Sequence, residues 1–143
     1  SVGSTFVASY LITASGVYQL SVTFGTANTA VSGFPVNCTV TPTVVSARTS
    51  AVTEILPSPV SAGDTISVKL ESRDLYGNKL LSGGTNFTTE LFQVLNLALN
   101  QQGVIMTDAG DGTYSFQQQV TRSGVYFLGV FLGDEHVAAS PAS

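Results

Sequence analysis

The chain has 143 residues, of which 43% are apolar and 10% charged, and it carries a formal net charge of −4. That length can bury a real core, and the apolar content argues against disorder. Two lysines and three arginines cannot form the basic patch that a phosphate backbone demands, which excludes a nucleic-acid partner.

Charge this sparse, against the ~25% usual for soluble domains, leaves surface polarity to 17 serines and 17 threonines. Such a composition resembles secreted or cell-surface proteins. No apolar run approaches the ~18 residues of a transmembrane helix, so membrane insertion by this segment is not expected. The N-terminus lacks a signal-peptide pattern, and any localisation signal is expected outside these residues. Cys38 is the sole cysteine, which rules out an internal disulfide and a cysteine-based metal site. Its place in the alternating run Val36–Val40 predicts a buried core position.

In chain order, period-2 alternation predicts strands over 4–13 (Phe6, Ala8, Tyr10, Ile12) and 17–24 (Leu20, Val22, Phe24). A polar turn over 25–29 follows. Gly33-Phe34-Pro35 then leads into a strand over 36–40, with proline at its start, where a missing N–H is tolerated. Pro42 ends that strand. Residues 43–51 read as a linker into a new domain whose first strand lies near 51–56. Thr65–Ser72 alternates with Ile66, Val68 and Leu70 inward. The turn 73–78 comes next, and Gly77 supplies its positive φ. Strands follow over 87–95 and 97–106. The apolar stretch 91–102 could be taken for a helix, but its place between two strand signals favours strand–turn–strand. No segment reads as a capped amphipathic helix. Short strands with Gly, Pro and Asn turns point to an all-β antiparallel sandwich.

The chain also repeats itself. Gly16, Val17, Tyr18, Leu20, Val22 and Gly25 recur as Gly124, Val125, Tyr126, Leu128, Val130 and Gly133, all 108 positions later. Val31 and Pro35 recur as Val137 and Pro141 after a two-residue difference in the intervening loop. An internal repeat outranks other signals in deciding architecture.

The ordered motifs Ala62-Gly63-Asp64, Arg73-Asp74 with Tyr76-Gly77-Asn78, Gly83-Gly84 with Phe87, Asp108 with Gly110-Asp111-Gly112-Thr113-Tyr114, Gly124 with Tyr126, and His136-Val137 with Ser140-Pro141 together resemble the filamin-type immunoglobulin-like repeat. The resemblance covers 52–141 and implies a seven-stranded sandwich, with strands A, B, E and D facing C, F and G. Residues 1–42 resemble the last three strands of a preceding repeat, while 52–143 form a second repeat whose last strand is truncated. Three strands alone would leave apolar faces in water. The segment is therefore expected to belong to a longer array, or to pack its first strands on another chain.

Little in the sequence speaks for chemistry. Asp108 and Asp111 have a calcium-loop spacing, yet two carboxylates fall short of the roughly six to eight oxygens the ion takes, so they read as an Asp/Gly turn. Arg73-Asp74 reads as a buttress of the following turn. His136 has no nucleophile to serve. No catalytic residue, cofactor or metal site is expected, nor an enzyme. Asn37-Cys38-Thr39 and Asn86-Phe87-Thr88 match the N-glycosylation sequon, with Asn37 and Asn86 as candidate acceptors.

The leading functional expectation is a structural or adhesive module of a multi-repeat extracellular or cell-surface glycoprotein. It would act as a semi-rigid rod whose partners are neighbouring repeats or other protein chains. The alternative is an intracellular scaffold. There the resemblance implies that a partner peptide adds as a strand at the groove beside strand C, meeting Thr88, Glu90, Phe92 and Val94.

Overall fold

The computed structural model describes residues 4–57, 59–93 and 96–138. The chain divides into two compact units, Ser1–Thr41 and Pro42–Ser143.

In the first unit, β1 (Gly16–Leu20) leads into a short hairpin of β2 (Thr23–Phe24) and β3 (Thr29–Ala30), and β4 (Val36–Val40) returns antiparallel along β1. The register runs from Gly16 opposite Val40, through Tyr18 opposite Cys38, to Leu20 opposite Val36. The strand expected over 4–13 does not form, and Phe6 in it is 92% exposed. Alternation alone cannot hold a strand. It needs a neighbour to satisfy its N–H and C=O groups, and among the described residues no strand of this unit pairs with 4–13. Cys38, expected to be buried, is exposed for a related reason: its two-stranded ladder has no second layer among the described residues.

The second unit is a sandwich of two four-stranded sheets. Its strands are β5 (Ala51–Leu56), β6 (Thr65–Glu71), β7 (Phe87–Gln93), β8 (Asn96–Ile105), β9 (Thr107–Asp108), β10 (Thr113–Gln119), β11 (Tyr126–Leu132) and β12 (Glu135–His136). One sheet has the order β5-β6-β10-β9 and the other β12-β11-β7-β8. The first is the A-B-E-D order of an immunoglobulin-like sandwich. The second is G-F-C with β8 added at its end.

The two inner faces meet in one core. Ile66, Val68 and Leu70 of β6 point inward as expected and face Leu91, Leu128 and Val130 of the other sheet. The rings of Phe87 and Tyr114 meet edge-on, 4.8 Å apart, and the Tyr114 hydroxyl accepts the Thr85 N–H at 3.2 Å. Met106 is the crossing point between the sheets. It is buried, its N–H donates to Phe87 O at 2.9 Å, and Thr107 already pairs with Ser115 of the opposite sheet.

Residues 43–51, expected as a linker, are built into the second unit. Ser46 N–H donates to Arg73 O at 2.8 Å, Val45 bridges Asp74, and Ala47 and Ser50 are almost wholly buried. Small side chains let this stretch lie close on the sandwich, and its hydroxyls satisfy nearby backbone groups: Thr49 Oγ1 donates to Asp74 O at 2.7 Å, and Ser50 Oγ accepts Arg73 N–H at 3.0 Å.

Candidate functional site

Each acidic motif proves to be a corner. Asp74 is fully buried, and both of its carboxylate oxygens are occupied. Oδ1 accepts the backbone N–H groups of Tyr76 and Asn78, each at 2.9 Å; Oδ2 accepts Thr43 N–H at 3.0 Å and the Asn78 amide at 2.9 Å. Burial by itself would raise this carboxyl. The hydrogen bonds from the Asn78 side chain and from the Thr43, Asn78 and Tyr76 backbone outweigh it, holding the pKa at about 2 instead of 3.8. Arg73 donates to Gly77 O at 3.0 Å and pairs with Glu71 at 2.6 Å. The pair therefore braces the 73–78 turn.

Asp108 accepts Gly84 N–H at 2.6 Å and Gly110 N–H at 2.7 Å. The Thr113 hydroxyl, and then its N–H, lower the pKa of Asp111. These carboxylates are committed to backbone donors, and no group of three or more His, Cys, Asp or Glu side chains placed for a metal occurs among the described residues. His136 is exposed and lies against the Phe131 ring, with centroids 4.2 Å apart.

The edge expected to receive a guest peptide is not an edge. β7 is bonded on one side to β11 over its whole length, from Phe87 opposite Leu132 to Gln93 opposite Tyr126. On the other side it pairs with β8, including Thr88 with Ile105 and Leu91 with Gln101. Thr88, Glu90 and Phe92 therefore sit on the half-exposed outer face of a central strand, where Phe92 stacks on Phe127 at 5.6 Å. Val94 lies outside the described residues. A signal for this was present in the sequence, because two strands joined by so short a turn pair with each other. The strand expected over 97–106 joins the sheet of β7 as β8. The D strand is the short β9.

Both sequon asparagines, Asn37 in β4 and Asn86 just before β7, are exposed. Their side chains meet the first physical requirement for modification.

The most informative geometry is the recurrence of one corner. The Tyr126 hydroxyl donates to Arg122 O at 2.8 Å, and the Tyr18 hydroxyl donates to Ala14 O at 2.8 Å, in each case four residues back. This is the tyrosine corner of immunoglobulin-like sandwiches. The glycine two residues before each tyrosine has nearly the same backbone, with φ 155° at Gly16 and 151° at Gly124. The hairpin that follows also matches. Thr23 pairs with Ala30 and Phe24 with Thr29, as Phe131 pairs with His136 and Leu132 with Glu135. Val31 N–H donates to Val22 O at 2.9 Å, and Val137 N–H to Val130 O at 2.9 Å.

Beside the second corner lies a cavity of about 370 Å³ between β5 and β11, lined by Ile55, Val60, Ile66, Leu91, Tyr126 and Leu128. Nothing in the sequence marked it, since a cavity depends on how two sheets splay apart.

Among solved structures, the chain is similar to the FdeC adhesin of Escherichia coli, with TM-score 0.55 and 19% identity over 88% of this chain and 39% of that one. It is also similar to the filamin domain of Lin-41, with TM-score 0.49 and 15% identity over 72% of this chain and 93% of that one. The chain thus spans well under half of the adhesin's length. A scan against family models and a search of curated proteins find no match. At this identity the likeness is one of fold, and the strand order above agrees with it: the second unit is an immunoglobulin-like sandwich.

Proposed function

We propose that the chain is a stretch of a surface-exposed rod built from consecutive immunoglobulin-like repeats, which space and attach proteins and carry out no reaction. The observation that carries this reading is the recurrence of the tyrosine corner and its hairpin, with the same pairings, 108 residues later up to the hairpin turn and 106 after it. Two copies of one module in tandem are the signature of an array. The similarity in fold to an adhesin supports the adhesive form of this reading, and the low charge with abundant Ser and Thr supports a place outside the cell. The intracellular, peptide-binding alternative loses its main support, because β8 occupies the edge of β7 that a guest strand would need.

Antibody raised against the second unit decides the compartment. Staining of intact, unpermeabilised cells is the expected result, and staining only after permeabilisation would overturn the reading. On native material, glycosidase treatment is expected to lower the mass if Asn37 or Asn86 carries a glycan.

A further inference from the structure

The two sheets of the second unit present unlike outer faces. On and beside the β5-β6-β10-β9 sheet the cations are already matched: Lys69 pairs with Glu54, and Arg73 and Lys79 both pair with Glu71. The strands β7, β8, β11 and β12 contain no lysine or arginine. Among the described residues the outer face of their sheet carries one carboxylate, the half-buried Glu90, which takes part in none of these ion pairs. The other acid of these strands, Glu135, pairs with Leu132, which packs on the core, and so belongs to the opposite side of the sheet.

Aromatic rings surround this carboxylate. Glu90 lies directly opposite Gly129, and the ring of Phe131 takes the place of the missing side chain: a Cβ on Gly129 would meet that ring at 2.8 Å. Opposite residues have Cβ positions about 5 Å apart, so the Phe131 ring lies beside the Glu90 side chain. One step along the same face, about 7 Å away, Phe92 stacks on Phe127 with centroids 5.6 Å apart. On the other side the register of β8 shifts between Thr89 and Leu91, which leaves Glu90 without a register partner there.

We propose that this face is a docking site for an arginine side chain presented by another protein. The inference rests on the attaching role proposed above and supplies the chemistry of the partner.

Charge complementarity selects the occupant. Rings alone would serve any apolar group, and a carboxylate alone any cation. Side by side they match a guanidinium, whose edge donates two parallel N–H bonds to a carboxylate while its flat face lies on a ring. It is also more weakly hydrated than an ammonium, so it gives up less on leaving water. The net charge of −4 favours the approach of a basic partner. Apolar neighbours of that arginine would rest on the Phe92 and Phe127 rings and on Ile105, which is 62% exposed opposite Thr88.

The test titrates the whole isotope-labelled chain of 143 residues with the end-capped tripeptide Val-Arg-Val and, in parallel, with its lysine and glutamine counterparts. Saturable shifts of the amides at 88–92 and 127–131 are expected with the arginine peptide, weaker ones with lysine and none with glutamine. Glu90→Gln should lower the affinity about threefold, the worth of one exposed ion pair, and should abolish its dependence on salt. Phe131→Leu should lower it by a similar factor through loss of the ring face. Unmoved β6 and β10 amides in both variants would show the sandwich intact. Equal shifts with the glutamine peptide, an affinity unchanged by Glu90→Gln, or no shift at these amides with about 10 mM peptide would overturn the site. Shifts of the same amides by maltotriose and not by the arginine peptide would overturn it in favour of a sugar platform. Self-association in sedimentation that Glu90→Gln abolishes would overturn the foreign partner in favour of a second copy. None of these failures touches the repeat or the surface staining, neither of which depends on Glu90.

Discussion

Asp74 shows how a charged residue can be structural without being a site. Its carboxylate closes a turn by accepting backbone N–H groups from Tyr76 and Asn78 within the turn and from Thr43 outside it. A folded-state pKa of about 2, below the ordinary 3.8, means that the unfolded chain binds this proton more readily. The stabilisation is complete above about pH 4 and is lost as the pH falls towards 2. Asp74→Asn is expected to lower Tm at pH 7 and to flatten the acid limb of a Tm-against-pH curve between pH 4 and 2; an unchanged acid limb would show that other carboxylates control it. The tyrosine corners give a second expectation at this scale. Tyr126→Phe removes the bond to Arg122 O and should cost about 1 kcal/mol by denaturant titration. Tyr18→Phe should leave that transition unmoved and loosen only the β1–β4 amides. Leu70, wholly buried between the sheets, is a harsher case. Leu70→Ala should cost about 2–5 kcal/mol, since the cavity left in a close-packed core collapses only partly.

β8 decides what the sandwich can bind. It pairs with β7 along an irregular register, with shifts between Thr89 and Leu91 and between Leu91 and Gln93, and so covers main-chain groups that would otherwise recruit a foreign strand. Replacing residues 94–104 by a flexible link of about seven Gly and Ser residues, enough to run the ~17 Å from Gln93 back to Ile105 opposite Thr88, should expose β7. The shortened protein is then expected to self-associate through Thr88, Glu90 and Phe92, seen as a larger sedimentation coefficient than that of the intact chain. If the shortened protein stays monomeric, β8 has no protective role. β6 was the most legible element, because one face is buried and the other wet, and seven consecutive pairs with β10 lock its register. β7 and β8 were legible as strands, but their sheet was not. Which layer a strand joins depends on where the chain crosses the core, and here that is the single buried residue Met106.

The molecule consists of two units of unequal means. The second buries a continuous core between its sheets, whereas the described strands of the first form two separate two-stranded ladders. Native-state hydrogen exchange should therefore separate them. Amides of β1 and β4 should exchange by local opening, orders of magnitude faster than those of β6 and β10, whose exchange should follow global unfolding. Equal protection in both would mean that the first unit is completed by packing in solution, for example on a second copy.

The sequence alone determined the fold class, the bounds of β4 and β5, the inward face of β6 and the repeat that relates the two corners. These are local properties: alternation, turn chemistry and self-similarity are written within a few residues of where they act. Tertiary structure decided the rest. Residues 4–13 alternate as a strand does and form none, because a strand exists only through a partner. Residues 43–51 look like a linker and are packed, because small side chains fit a surface that the sequence does not display. Cys38 sits in a core-like pattern and meets water, because burial depends on a second layer. The edge of β7 is covered by β8 for the same reason: pairing is a property of neighbours in space.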